Sequence, residues 1–316
     1  MFKRFFFLIS IAFIICACQH QFIKTIYDFK YSPPKPIEKK IRVALVLGGG
    51  GARAISQIGA IEVLKKHNIP IDLIIGTSAG SIIGALYAGT EDVGFVKKIV
   101  LNVRQKDLIK VSLKDAVEGA TSLRGGLDGS TSEDLIRKNL DVEDFNHLKI
   151  PFIAIATDLI SGKTIELKSG SLAPAIRASC AIPGLFSPVK IYDMILVDGG
   201  VTAPLAVEVA KKYNPDVIIA IDIRSSLKDP KINNMIDVAY RSLYISYEAL
   251  NDFNSKLADV VIRPSLDDVG LFEDGKNLEI YLAGKAAAEK AMPEILSVLK
   301  KRSINIKNVN NTNSQI

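Results

Sequence analysis

The stretch Ile71-Asp72-Leu73-Ile74-Ile75-Gly76-Thr77-Ser78-Ala79-Gly80 decides the fold. Its apolar first half is the pattern of a buried strand. Ser81 to Gly89, small and apolar, continues it as a helix. Between the two stands G-x-S-x-G. Strand, G-x-S-x-G, helix is the context of a nucleophile elbow. Gly76 and Gly80 let the backbone turn sharply and let strand and helix pass closely. Ser78 is left at the tip of the turn, at a helix start, where a hydroxyl reaches substrate and nearby N–H groups face developing negative charge. A Gly/Ser turn that merely starts a helix contains the same string, so the neighbouring segments carry the decision.

Ile41-Arg42-Val43-Ala44-Leu45-Val46-Leu47 is a second buried-strand pattern, and it runs into Gly48-Gly49-Gly50-Gly51-Ala52-Arg53. Ile55, Ile58, Ile61, Val63 and Leu64 then mark one helix face, ending near His67-Asn68-Ile69-Pro70. A strand feeding a glycine loop feeding a helix offers successive N–H groups to an anion. A dinucleotide pyrophosphate wants G-x-G-x-x-G. The string from Gly49 is G-G-G-A-R-A, with Ala54 at the last place and Asp72 a loose fit to the ribose partner. A triphosphate wants G-K-[ST], which is absent. An oxyanion beside Ser78 uses both motifs at once, because adjacent parallel strands bring both loops to one carboxyl edge.

An acyl-transfer serine needs a base. His20 lies near the N-terminus, His67 at a helix end and His147 in the polar turn Asp144-Phe145-Asn146-His147-Leu148. None follows a late strand, where a Ser-His-Asp triad of the α/β-hydrolase order would place it. A carboxylate is the better candidate. Asp198-Gly199-Gly200 follows the apolar run Met194-Ile195-Leu196-Val197, and two glycines let an aspartate loop approach another closely; a plain D-G turn is the competing reading. Such a base needs burial, a hydrogen bond to the serine and strong stabilisation of the oxyanion.

Gly49-Gly50-Gly51-Ala52-Arg53, Gly76-Thr77-Ser78-Ala79-Gly80 and Asp198-Gly199-Gly200, in that order, resemble the three signatures of patatin-like phospholipases. Ser122-Leu123-Arg124-Gly125-Gly126-Leu127-Asp128-Gly129 resembles the loop before that family's lid-side helix. Ala156-Thr157-Asp158-Leu159 with Ser161-Gly162 resembles its central hairpin, and Ala175 to Pro188 the segment ahead of its catalytic aspartate. The resemblance implies a three-layer α/β/α fold around a mostly parallel sheet. It implies Ser78 as nucleophile, Asp198 as base, an oxyanion hole from Gly49, Gly50 and Gly51, and hydrolysis of phospholipid or lysophospholipid acyl esters without metal or cofactor. Arg53 matches the family's basic residue after the glycines and would support the loop or meet a phosphate head group. Ala54 replaces a usual glycine, Ser56-Gln57 the common Ala-His, and Ala203 a common Asn. Ala54 and Ala203 are the support for a competing reading as a lipid-binding pseudoenzyme.

At 316 residues and 48% hydrophobic, the chain can bury one large core or two modest ones. A formal charge of +6 with scattered lysines gives no basic stripe, which argues against nucleic acid. Lys3 and Arg4 precede the apolar run Phe5 to Ile15, and Ile15-Cys16-Ala17-Cys18 closes it. This resembles a lipoprotein signal peptide over residues 1–17, cleaved before Cys18, which would carry a diacylglycerol and palmitate. Gln19 is not the aspartate that retains such proteins at an inner membrane, so the expected address is the outer membrane of a Gram-negative envelope. Residues 18–40, with Tyr31-Ser32-Pro33-Pro34-Lys35-Pro36, read as a tether. The expected plan continues with a catalytic core over 41–206, the rest of the same α/β domain over 207–302 and a tail over 303–316. Such cleavage removes Cys16 and lipidation occupies the Cys18 sulfur, which leaves Cys180 as the one free thiol, so an internal disulfide is excluded. A helix is expected over 135–140, capped from Ser130-Thr131-Ser132-Glu133, and a long helix around Tyr240, Tyr244 and Tyr247.

Overall fold

The computed structural model describes residues 24–25, 29–104, 129–224, 232–233 and 235–304. The segment read as a signal peptide, with Cys18, the motif over 122–128 and the expected tail from 305 lie outside the described residues. The strands are β1 (Lys24–Thr25), β2 (Val43–Leu47), β3 (Leu73–Thr77), β4 (Phe152–Asp158), β5 (Thr164–Leu167), β6 (Val189–Ile191), β7 (Met194–Asp198), β8 (Val217–Ile221) and β9 (Val260–Ile262). The helices are α1 (Ile55–Lys66), α2 (Ala79–Thr90), α3 (Val93–Asn102), α4 (Ser130–Asn139), α5 (Leu172–Ser179), α6 (Val207–Lys211), α7 (Met235–Ser255) and α8 (Asn277–Lys301).

The apolar runs form a parallel block, β4-β3-β2-β8-β9, because each is buried on both faces. Alternation along a strand sorts its side chains between two cores. Val43, Leu45 and Leu47 join the core under α1, α2 and α8, while Ala44 and Val46 join Leu205, Val207, Val209 and Ala210 on the other face. The fold is therefore α/β/α around a mostly parallel sheet. β8 pairs with β2, so the chain after residue 206 extends the same sheet.

The ladder along β4 positions the site. β5 pairs with residues 154–157 of β4 on one edge. On the other edge β3 ends with Thr77 opposite Ile155, and antiparallel β7 takes over with Asp198 opposite Ala156. Two strands far apart in sequence thus meet end to end on consecutive positions of β4, and the residue after Thr77 stands against Asp198.

Two local expectations change. Much of the segment read as a tether is a strap held on the domain. Lys24–Thr25 pairs parallel with β6. Further on, Ser32 Oγ donates to Asp144 Oδ2 at 2.6 Å, Gly170 N donates to Ser32 Oγ at 3.1 Å and the Lys35 N–H donates to Asn146 Oδ1 at 2.8 Å. Proline stiffens this segment, and the polar turn at Asp144–Asn146 supplies partners that composition alone does not reveal. Helix α4 begins at Ser130, with left-handed Gly129 as its N-cap and no side-chain cap; Ser132 Oγ instead donates back to Gly129 O at 3.2 Å.

Candidate active site

Gly76-Thr77-Ser78-Ala79-Gly80 is a strand-to-helix elbow. Ser78 has φ 54° and ψ −128°, left-handed for a residue with a side chain, at a strain cost of about 1–3 kcal/mol. The surroundings hold it there. Ser78 O accepts from the Ser81 N–H at 2.7 Å and from Ser81 Oγ at 2.6 Å. The Ser78 N–H donates to Ser179 Oγ at 3.0 Å, and Ser179 Oγ donates to Ile155 O at 2.6 Å. Gly80 is required by close approach, since a Cβ there would come within 2.6 Å of the Leu47 and Gly48 carbonyl oxygens.

Ser78 Oγ donates to Asp198 Oδ2 at 2.6 Å, and Asp198 Oδ1 accepts from the Gly200 N–H at 2.7 Å. Both side chains are buried, Ser78 at 7% and Asp198 at 5% exposure. Burial pushes the Asp198 pKa up to about 6, against the lowering effect of its two hydrogen bonds. A carboxylate so destabilised accepts a proton more readily than a solvated one. His67 follows α1 and His147 sits in a turn over Phe145–His147; neither lines the cavity beside Ser78.

The glycine loop is clamped by its carbonyls. Gln57 Nε2 donates to Gly48 O at 2.7 Å, Tyr247 Oη donates to Gly49 O, and Arg53 Nε donates to Gly50 O at 3.2 Å. In a trans peptide the C=O and the following N–H point in opposite directions. Tyr247 therefore fixes the Gly50 N–H and Arg53 fixes the Gly51 N–H. Gln57 fixes the Gly49 N–H, which donates to Pro204 O at 3.0 Å. This corrects one expectation: the Gly49 N–H is committed to Pro204, and its residue serves instead by packing on Ser78, where a Cβ would come within 3.1 Å of the Ser78 Cβ. Arg53 is 2% exposed, so it supports the loop; a surface ion pair and a head-group contact both need an exposed guanidinium.

The sequence departures are accommodated. Ala54 has ordinary helical angles, φ −62° and ψ −19°, where a methyl costs nothing. Gln57 does the clamping just described. Ala203 contributes its carbonyl, which accepts from Thr77 Oγ1 at 2.9 Å. The dinucleotide reading fails on geometry: Asp72 precedes β3, at the amino end of the sheet, where it takes Arg42 Nη2 at 2.7 Å.

Residues that sequence reasoning missed are Ser179, Pro204 and Tyr247. Tyr247 had a signal, the spacing of Tyr240, Tyr244 and Tyr247 along one face of α7. Its ring also packs on Gly200, where a Cβ would come within 2.7 Å of Tyr247 Cε2. One phenol thus touches both the glycine loop and the aspartate turn. Asn251 Nδ2 holds α7 in place by donating at 2.8 Å to Asp222, a buried carboxylate at the end of β8 that also binds Arg263 at 2.8 Å. Burial keeps the Tyr247 phenol protonated, well above its ordinary pKa. Tyr247→Phe is expected to lower kcat about tenfold to a hundredfold with little change in KM, as misalignment of one oxyanion donor would; steady-state kinetics with unchanged circular dichroism checks it.

A cavity of about 100 Å³ opens beside Ser78, walled by Ile55, Ile83, Leu135, Ile182 and Phe186. Of the segment from Ala173 to Phe186, α5 is core and the turn after it lines this cavity. Cys180 is on the wall too, but burial and the Asp198 carboxylate raise its pKa, so the sulfur stays a protonated thiol and not a second nucleophile.

The model of the patatin-like phospholipase family matches residues 45–211, the span from the glycine loop past the aspartate turn. This chain belongs to the patatin-like phospholipase family. The lysophospholipase NTE1 of Scheffersomyces stipitis is 31% identical over 279 residues, 78% of this chain and 18% of that protein. An uncharacterised NTE family protein of Mycobacterium tuberculosis is 33% identical over 189 residues, 60% of this chain and 51% of that one. The chain thus spans between about a fifth and about half of the length of these relatives. VipD of Legionella pneumophila has a solved structure that superposes with a TM-score of 0.46 at 16% identity, covering 87% of this chain and 70% of that one.

Proposed function

We propose that this patatin-like phospholipase is a membrane-anchored serine hydrolase that cleaves phospholipid or lysophospholipid acyl esters with a Ser78–Asp198 dyad. The observation that carries the reading is the 2.6 Å hydrogen bond from Ser78 Oγ to a buried Asp198 at the mouth of an apolar cavity. Asp198 takes the serine proton as Oγ attacks the ester carbonyl. The N–H groups of Gly50 and Gly51 receive the oxyanion, each such donor being worth roughly a hundredfold or more in rate. Collapse of the tetrahedral adduct breaks the ester bond, and Asp198 returns its proton to the departing alcohol. Water, deprotonated by the same carboxylate, then hydrolyses the acyl-serine. The lysophospholipase name of the yeast relatives supports lysophospholipid among the substrates. Anchoring rests on the resemblance of Ile15-Cys16-Ala17-Cys18 to a lipobox, with an outer-membrane address; several acyl chains on one N-terminus would make it stable.

The test is release of fatty acid from a panel of phospholipids and lysophospholipids, read by mass spectrometry as a function of pH. With the Asp198 pKa at about 6, kcat/KM is expected to fall tenfold per pH unit below that value and to level off above it. No acyl release from any lipid at pH 8 would overturn the proposal.

A further inference from the structure

Three observations that the catalytic reading leaves unused meet at one edge of the sheet. The first is register. Asp158 of β4 pairs with Leu196, Leu196 with Val189, and Val189 with Lys24. One step further, the Leu159 N–H donates to Ile195 O at 2.8 Å, Ile195 pairs with Lys190 and Lys190 with Thr25. Asp198 lies two positions back on this ladder, opposite Ala156. The short β1 therefore sits just beyond the end of the sheet that carries Ser78 and Asp198. Three ladder steps separate it from β4, about 14 Å.

The second observation is exposed apolar surface on that same edge. Leu159 and Ile160, in the β4–β5 turn, are 53% and 68% exposed, and Tyr192, in the β6–β7 turn, is 51% exposed. The ledge is firm. The Asp158 carboxylate accepts from Ser161 Oγ at 2.7 Å and from the N–H groups of Ile160, Ser161 and Ile195 at 3.3, 3.1 and 3.2 Å. Phe29 of the strap packs edge-on against Tyr192 at 5.7 Å. Lys163 and Lys190 flank these residues, both exposed and in no ion pair among the described residues, with Asp193 exposed beside them.

The third is chain length. Cys18 and the apolar run Phe5 to Ile15 precede β1 in sequence, and Cys18 comes only six residues before Lys24. Six extended residues reach at most about 20 Å. An acyl group on Cys18 could not let the domain drift far from the bilayer, nor turn its far side toward it.

We infer that the β4–β5 and β6–β7 turns are the face that rests on a lipid bilayer, with Leu159, Ile160 and Tyr192 entering the head-group layer and Lys163 and Lys190 meeting anionic lipid. The inference rests on the reading of this chain as a membrane-held lipid hydrolase, and it adds the orientation. Ser78, level with Ala156 on the ladder, stands about 10 Å behind Leu159, within reach of an acyl ester drawn out of the leaflet. The strap and the ledge together turn the dyad toward its substrate.

The chain contains no tryptophan, so one introduced at an exposed position is a clean reporter. The full chain carrying Ile160→Trp is added to phosphatidylcholine vesicles, with and without phosphatidylglycerol; Leu296→Trp, at a 39% exposed site on α8, is the control. On vesicles the Ile160→Trp emission is expected to shift to the blue and to be quenched by lipids brominated on their acyl chains, more so with phosphatidylglycerol, while Leu296→Trp stays water-like. In parallel, Leu159→Ser/Ile160→Ser is expected to lower turnover of vesicle phospholipid at least about tenfold relative to turnover of a soluble short-chain ester. Water-like, unquenched emission from Ile160→Trp on vesicles would overturn the inference. So would a blue shift that grows with protein concentration in the absence of lipid, which would assign the ledge to a second copy of the chain. Docking without any ester turnover would overturn the catalytic reading and leave the docking face standing.

Discussion

Ser78→Ala is expected to lose acyl-ester turnover by roughly 10⁴-fold or more, the scale on which removal of a nucleophile acts. A fluorophosphonate probe should label the native chain at Ser78 and leave Ser78→Ala unlabelled. Labelling that persists in the alanine variant would move the nucleophile elsewhere; Cys180, a half-buried thiol held protonated on the cavity wall, is not expected to take over. Stability separates hydroxyl from backbone at this position. Ser78→Ala and Ser78→Gly both delete the hydrogen bond to Asp198, and they differ in how a φ of 54° is tolerated. Glycine carries no Cβ penalty there, so Ser78→Gly should be the more stable of the two inactive variants by about 1–2 kcal/mol. Chemical denaturation of the pair reads the difference, and equal stabilities would show that the elbow is unstrained.

Asp198→Asn is expected to abolish turnover while making the fold more stable. The carboxyl ordinarily titrates at 3.8 and here at about 6, raised by burial. Between those values the native protein holds a proton that the unfolded chain has released, so stability falls as pH rises through this window. At neutral pH the ionised side chain costs the fold about 3 kcal/mol. Asparagine has the same shape, keeps an acceptor for the Gly200 N–H, presents an N–H to Ser78 Oγ and carries no charge. Its melting temperature should exceed that of the native chain at pH 8 and match it closely at pH 4, where the native carboxyl is mostly protonated. A lower melting temperature at pH 8 would mean that the charge at Asp198 is stabilised by the fold. Retained turnover would remove Asp198 from the mechanism.

Much of this site was legible in the chain. The three glycine-bearing motifs each carry a local requirement: a sharp turn after Ile75, a close approach at Gly80, a tight exit after Asp198. Such requirements are written in residue type, because only glycine satisfies them. The absence of a well-placed histidine, again readable directly, turned attention to Asp198. The helix spacing of Tyr240, Tyr244 and Tyr247 was visible, but its partners were not, since periodicity names a face and says nothing of what the face meets. Composition likewise made residues 18–40 a tether, although Ser32 and Lys35 find hydrogen-bond partners more than a hundred positions away.

The sequence by itself determined the strand-loop-helix order, the elbow at Ser78, the aspartate turn and the apolar run before Cys18, because local backbone preference and hydrophobic period are properties of neighbouring residues. Tertiary structure alone decided which of these meet. The edge of β4 passes from Thr77 opposite Ile155 to Asp198 opposite Ala156. It alone committed the Gly49 N–H to Pro204, through side chains that clamp the loop from α1 and α7, and it alone set β1 beside the edge that carries Ser78 and Asp198. These are ladder registers and carbonyl partners between segments up to two hundred residues apart. They follow from the joint packing of the whole sheet and its helices, which no single stretch of sequence specifies.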